Sequence, residues 1–323
     1  MSRISFLALI LCVFAPPGYA SALPAAATYF DVKPGSHPHD VAATPLADGP
    51  VYFTAQSTGK LGILDPKTGR VEEIALGPGS APHGVVIGPD GAAWITDGGQ
   101  NAILRYDPQS RAVRRWPLPA DAADANLNTL AFDAQGRLWF TGQSGFYGRL
   151  LPASGDLKIW KAPRGRGPYG ITSTPDGAIY YASLAANHIA RIDPQSGAAT
   201  IIEPPTSSQG ARRVWSDSQG KIWVSYWNTG QLGRYDPATR SWREWKLPGD
   251  AHVYAVWVDD QDKVWLSEWN SNAIIRFDPL SEKFDSFPSN RTNAAVRQIL
   301  GRPGEVWSAE SGNDRLIRLN ARF

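Results

Sequence analysis

The chain has 323 residues, of which 42% are apolar and 19% charged, with a formal net charge of +2. That balance fits a folded globular protein and excludes wholesale disorder. No run of Lys or Arg is long enough to track a phosphate backbone, so nucleic-acid binding is not expected.

The chain opens on a processing segment. Arg3 is a short positive start, Ile4 to Phe14 is an apolar stretch, and Ala20-Ser21-Ala22 fits a small-residue cleavage site. The apolar stretch is too short to span a bilayer as a mature helix. Residues 1–22 are expected to be a signal peptide and residues 23–323 a single domain, periplasmic or secreted, with no membrane span. Cys12 is the only cysteine and lacks the small preceding residue of a lipoprotein site. It departs with the leader, leaving no thiol, no disulfide and no Cys metal site. Met1 is the only methionine, so the mature core is built from aromatic and aliphatic side chains.

The rest of the chain is one unit repeated. Pro82-His83-Gly84-Val85 is followed by Pro89-Asp90-Gly91, Trp94-Ile95-Thr96, Leu104 to Pro108 and Val113 to Leu118. The aromatic of the second segment recurs at Tyr52, Trp94, Trp139, Tyr180, Trp223, Trp265 and Trp307, at spacings of 42, 45, 41, 43, 42 and 42. Asp-Gly or Gln-Gly pairs such as Asp90-Gly91 and Gln135-Gly136 mark the first hairpin, where positive φ is needed. Asp-Pro at Asp65, Asp107, Asp193, Asp236 and Asp278 closes the third strand, because Pro cannot continue a ladder. Four short strands per repeat predict an all-β, seven-bladed β-propeller. The seventh unit stops at its third strand, Leu316 to Leu319, so Thr28 to Val32 is expected to supply the missing outer strand and close the ring. Trp94, Trp139, Trp223, Trp265 and Trp307 are expected to fill the wedge between blades, with Trp116, Trp160, Trp242 and Trp245 packing on outer strands.

Because the first two strands of a blade are antiparallel, two positions per blade meet at one mouth of the channel. The residue about eleven before the aromatic reads His39 (by pattern), His83, Asn128, Tyr169, Arg212, Tyr254 and then Val296 or Arg297. The residue three after it reads Ala55, Asp97, Gly142, Ser183, Tyr226, Glu268 and Glu310. A propeller does not need His, Tyr, Arg and carboxylates at one rim, so these positions are the candidate site. With His252, Trp227 and Trp269 beside them, Arg212, Tyr226, Tyr254, Glu268, Arg297 and Glu310 form a sector suited to an anionic or aromatic cyclic ligand. His39, His83 and Asp97, with His37, form a second sector. His188, on a third strand, reads as structural. Glu268 and Glu310 lie on neighbouring blades and either share a divalent cation or pair with Arg212 or Arg297.

The repeat resembles that of the streptogramin B lyases (virginiamycin B lyase and relatives) over nearly all of residues 28–320. The resemblance implies a seven-bladed propeller that opens a cyclic depsipeptide by Mg²⁺-assisted elimination, with a His base, a substrate-contacting His and metal-holding carboxylates. Glu310 is the counterpart of the last-blade carboxylate. Where that family has a Glu-Pro-His stretch opening the last blade, this chain has Ala294-Ala295-Val296-Arg297, and Tyr254 opens the sixth blade with His252 two residues earlier. One expectation is therefore a lyase of altered substrate, such as a uronate. In it Tyr254 or His252 is the base, Arg297 neutralises the enolate, and Glu268 with Glu310 places Mg²⁺. Arg212, Tyr226, Trp227, Trp269, Tyr169, Asn128, His39, His83 and Asp97 would contact the ligand. The alternative is a binding scaffold without chemistry. A six-bladed calcium lactonase does not fit the blade count. The expected partner is a small molecule, an oligosaccharide or peptide, or a periplasmic protein, and the chain is expected to be a monomer. Mass spectrometry of the natively purified protein should place its N-terminus near Leu23; a lipid on a retained Cys12 would restore the anchor reading.

Overall fold

A computed structural model describes residues 27–322 together with Tyr19. The rest of the expected leader, its cleavage site and Cys12 lie outside the described residues. Twenty-eight strands among the described residues form seven four-stranded antiparallel sheets. Among the described residues the helical content is three 3₁₀ turns, and no helix is long and apolar enough to cross a membrane.

Each blade is built as the repeat requires. Asp or Glu in the first turn accepts the indole N–H of the blade's Trp: Trp139 Nε1 to Asp133 at 2.8 Å, Trp223 to Asp217 at 2.9 Å, Trp265 to Asp259 at 2.8 Å and Trp307 to Glu305 at 2.7 Å. The ring is thereby buried with its one polar atom satisfied. Outer-strand rings stack on it, as Trp116 does on Trp94 with centroids 5.2 Å apart and Trp245 on Trp223 at 5.5 Å.

The ring closes as expected. Thr28–Asp31 pairs antiparallel with Arg315–Asn320, in the register Thr28 to Arg318 and Asp31 to Arg315. Phe30 stacks on Trp307 at 5.4 Å, and the buried Arg315 guanidinium lies 3.9 Å from the Tyr29 ring centre. Asp314 accepts the backbone amides of Gly35 and His37 at 2.8 and 2.7 Å, tying the next turn to the last blade. Such closure removes the edge an open ring would expose.

One irregularity recurs in every blade. The pairing of the first two strands slips at Pro38/Val41, Pro82/Val85, Leu127/Leu130, Pro168/Ile171, Ala211/Val214, Val253/Ala255 and Val296/Ile299. A bulge breaks the alternation of a strand, so residues that a regular ladder would send to opposite faces are re-aimed. These bulges fall at the seven rim positions.

The closing strand can be tested directly. Phe30→Ala should lower the unfolding free energy by roughly 3 kcal/mol in urea denaturation. Deletion of residues 23–34 should cost more; an unchanged melting temperature in the deletion would contradict the closure.

Candidate active site at the channel mouth

The register settles the last rim position. Pro82 faces Asp97, Val253 faces Glu268 and Val296 faces Glu310, so the equivalents of His83 and Tyr254 are the residues that follow, and the seventh member is Arg297. His39, His83, Asn128, Tyr169, Arg212, Tyr254 and Arg297 thus make one ring around the axis.

A belt of hydroxyls holds that ring. Thr54 Oγ1 accepts the amide of Asp40 at 3.0 Å and donates to the carbonyl of His83, in the next blade, at 2.7 Å. Thr96 joins Gly84 to Asn128, and Thr141 joins Thr129 to Tyr169. Ser225 joins Arg213 (3.0 Å) to Tyr254 (3.1 Å), and Ser267 joins Ala255 (3.1 Å) to Arg297 (2.9 Å). Each hydroxyl satisfies a bulge amide of its own blade and fixes the rim backbone of the following one. The fourth blade has Ala182 at this position, and Ser308 of the seventh bonds within its own blade.

The rim side chains converge. Tyr254, fully buried, has its hydroxyl 3.0 Å from Tyr169 Oη and 3.4 Å from His39 Nε2. The His39 and His83 rings lie 4.0 Å apart, and His83 Nε2 sits 3.1 Å from the Asn128 amide nitrogen. Arg212 caps the group: its guanidinium carbon is 3.9 Å from the Tyr254 ring centre, 4.5 Å from Tyr169 and 4.7 Å from Trp227, and Nη2 donates to Tyr169 Oη at 2.8 Å. Trp269 stacks on Tyr254 with planes 2° apart, Arg297 lies 5.1 Å from Trp269, and His252 packs on Trp227 at 5.1 Å. Arg212, Trp227, His252, Trp269 and Arg297 are half-buried and form the accessible wall.

Below them lies an ion pair that the spacing of the repeat does not indicate. Arg213 Nη2 donates to Asp40 at 3.2 Å across the axis and Nη1 to Thr129 Oγ1 at 2.6 Å, while Asp40 Oδ1 is 2.8 Å from His39 Nδ1. Asp40 and Arg213 directly follow rim residues; a regular strand would turn them away, and the bulge turns them inward. Gly170 leaves room for this, since a Cβ there would stand 2.6 Å from the Arg213 Cα.

Other expected site residues lie elsewhere. Tyr226 lies at the rim end of its strand, but its side chain is buried between the fourth and fifth blades with the hydroxyl over Gly233. Asp97 pins its own loop by accepting the amides of Ala81 and Gln100, both at 2.9 Å. The two sectors expected at the rim merge, because His39 and His83 join Tyr254 and Tyr169. The Glu268 carboxylate accepts three backbone amides of its own blade, from His252, Asn270 and Ser271, at 2.7, 2.8 and 2.6 Å. Glu310 pairs with Arg315, not with Arg212 or Arg297, and keeps a single oxygen, Oε1, without a partner. One free oxygen does not fit Mg²⁺ or Ca²⁺, which take about six or more oxygen ligands. His39, Asp40 and His83 bring donor atoms within 4.8 Å of one another, but Asp40 is bonded to Arg213 and three guanidinium groups surround the set. That charge favours an anion over a cation. His188, as expected, is structural: Nδ1 lies 3.1 Å from the Ala186 carbonyl.

The electrostatics follow from burial and those guanidiniums. Burial pushes the pKa of His39 well below its ordinary value, and Arg297, Arg213 and Arg212 push it further. His83 is lowered by burial and then by His39, so both imidazoles are neutral. Burial opposes ionisation of Tyr254, but Arg212, Arg213 and Arg297 together outweigh it and bring its pKa down to about 8. Tyr169 moves the other way, up to about 12, from burial and the neighbouring Tyr254. Two phenols in hydrogen-bond contact therefore differ in acidity, as acid–base sites require. A cleft of about 960 Å³ opens on the outer side between the fourth and fifth blades, lined by Tyr180, Tyr235 and Trp242. The groups with shifted pKa there are Asp176, lowered by its hydrogen bond from Thr174, and Tyr180, raised by burial.

The fold and this mouth define a seven-bladed propeller with a cationic, aromatic axial site. The family profile of the virginiamycin B lyases matches residues 22–252, and the chain belongs to that family. A virginiamycin B lyase of Nocardia farcinica (strain IFM 10152) is 27% identical over 196 residues, covering 58% of this chain and 63% of that relative's length. A streptogramin B lyase structure superposes with a TM-score of 0.83 at 24% identity, over 91% of this chain and 97% of that one. A catalytically inactive variant of virginiamycin B lyase from Staphylococcus aureus, solved with quinupristin, gives 0.82 at 22% identity, over 91% of this chain and 98% of that one.

Removing one partner of the buried ion pair separates it from the exposed wall. Arg213→Met should cost about 3–5 kcal/mol of stability by leaving Asp40 unpaired. Arg212→Met, at the half-buried wall, should cost far less, and equal losses in denaturant titrations would contradict this division.

Proposed function

We propose that the protein is an exported lyase that binds a carboxylate-bearing ligand at the channel mouth and opens it by β-elimination, with Tyr254 as the base. The observation that carries this is the convergence of Arg212, Arg213 and Arg297 on one buried phenol. Arg212 and Arg297 are half-buried at the mouth and Tyr254 is fully buried beneath them, so a ligand carboxylate that draws the two guanidiniums aside would bring its α-carbon to Tyr254 Oη. The phenolate takes the α-proton, and the electron pair of that C–H bond becomes the carbon–carbon double bond as the β carbon–oxygen bond breaks. The departing oxygen then receives a proton from Tyr254, and the guanidiniums neutralise the charge that develops on the carboxylate. Trp227 and Trp269 offer stacking faces for a sugar or aromatic ring, which suits an oligosaccharide containing uronate residues.

Mg²⁺ has no step in this scheme, because both Glu268 oxygens and one of the two Glu310 oxygens already have partners in their own blades. The histidines that the family resemblance implies at the openings of blades six and seven are Tyr254 and Arg297 here, which supports a changed substrate. The same departure supports a second reading, a binding propeller without chemistry.

Incubation with uronate oligosaccharides should give unsaturated products detected by their ultraviolet absorbance. Because the base form lies above its pKa, kcat/KM should rise tenfold per pH unit up to about 8 and level off beyond it. Tyr254→Phe should lower turnover by about 10²-fold or more. Saturable calorimetric binding without any product, in wild type across uronate and cyclic peptide ligands, would favour the binding reading instead.

A further inference from the structure

The first blade brings two groups to Tyr254 that the proposed elimination leaves without a task. They belong to a chain of hydrogen bonds whose direction is fixed at both ends. Arg212 can only donate, and its Nη2 gives a hydrogen to Tyr169 Oη at 2.8 Å. Tyr169 is thereby free to aim its own hydrogen at Tyr254 Oη, 3.0 Å away. At the other end Asp40, held by Arg213 at 3.2 Å, can only accept. It takes the hydrogen of His39 Nδ1 at 2.8 Å, which leaves the lone pair of Nε2 pointing at Tyr254 Oη, 3.4 Å away. The neutral state of His39 makes this the one tautomer that satisfies Asp40.

We infer that His39 and Asp40 are positioning residues that govern the ionisation of Tyr254: His39 Nε2 accepts the hydrogen of the protonated phenol, and Asp40 locks the imidazole in the tautomer able to do so. This rests on Tyr254 being the base of the proposed lyase. Every charged or titratable group around the phenol then has a sign. Arg212 and Arg213 of the fifth blade and Arg297 of the seventh favour the phenolate. His39 and Asp40 of the first blade favour the phenol. Tyr169 of the fourth blade donates to the oxygen in either state. His83 of the second blade touches Tyr254 only through His39, and His252 is separated from it by Trp227. The guanidiniums lower the phenol's pKa to about 8, so a minor fraction of the resting base is ionised at neutrality and most of it above pH 8. The His39 bond forms as the substrate proton arrives, which makes abstraction more favourable and raises the resting pKa by the same amount, against the lowering by the guanidiniums.

Ultraviolet difference titration of tyrosinate in the mature protein reads this without any substrate. The native protein should show a step near pH 8 that Tyr254→Phe removes. In His39→Leu the phenol loses its acceptor and the step should move about one unit lower. In Asp40→Asn it should also move lower, because the negative charge is gone and the imidazole can turn an N–H toward the phenolate. His39→Gln, which keeps an acceptor oxygen, should hold the step near its native position. If Asp40→Asn does not fold, for want of the Arg213 partner, the two His39 variants decide. A step that stays put or moves up in folded His39→Leu overturns the inference, as does a native protein with no step that Tyr254→Phe removes. A shifted step in a protein without lyase activity would sink the elimination reading and leave this one standing.

Discussion

Hydroxyls at the second strand join the blades where it matters for the site. At five of the seven joints a Thr or Ser takes an amide hydrogen from its own bulge and gives its hydrogen to the rim carbonyl of the next blade. Net values of ~0.5–1.5 kcal/mol per bond make this a modest contribution to stability. Its larger effect is geometric. The rim residues are displaced from regular strand positions by their bulges, and without the belt their backbone amides would be buried without partners. At the joint from seventh to first blade the side chain of Gln298 replaces the hydroxyl, accepting the amide of Val41 at 3.3 Å. Between the fourth and fifth blades Ala182 offers no hydroxyl, and the backbone of Gly170 instead approaches Arg213 closely.

With the rim backbone fixed, the side chains it carries can hold charge in a confined space. Asp40 and Arg213 are both almost wholly buried, which is tolerable because they face one another and because Thr129 and His39 add further bonds, although Arg213 Nε is left without a partner. Three guanidiniums against one carboxylate leave the mouth cationic. A phenol enclosed by that field becomes more acidic in spite of its burial, while the imidazoles beside it are held neutral. The same field that lowers the pKa of Tyr254 also discourages a cation from occupying the His39–Asp40–His83 group.

The fold was legible because it is periodic. A ring at every forty-second residue or so, with Asp-Gly and Asp-Pro at set offsets, leaves few architectures open, and the unfinished seventh unit pointed to Thr28 to Val32 as its outer strand, of which Thr28–Asp31 pairs. Six of the candidate site residues were legible for the same reason, as the polar exceptions at one repeat position: His39, His83, Asn128, Tyr169, Arg212 and Tyr254; the seventh stayed open between Val296 and Arg297 until the strand register chose Arg297. Asp40 and Arg213 were hidden by the assumption of strict alternation, although two adjacent polar residues opening an apolar strand, His39-Asp40 and Arg212-Arg213, are the visible trace of a bulge. Tyr226, Asp97, Glu268 and Glu310 share a position near the mouth but face the packing between blades and the loops. Spacing gives their height along the axis and not the direction of their side chains.

The central claim is that an anion at Arg212 and Arg297 and the ionisation of Tyr254 are coupled. A bound carboxylate weakens the guanidinium field and raises the pKa of the phenol, so binding near pH 8 must draw protons from solution. Calorimetry of a binding uronate in buffers of different ionisation enthalpy measures that number. The account predicts an uptake approaching about half a proton per site at pH 8 in wild type and none in Tyr254→Phe. Binding with no proton uptake in the native protein would contradict it.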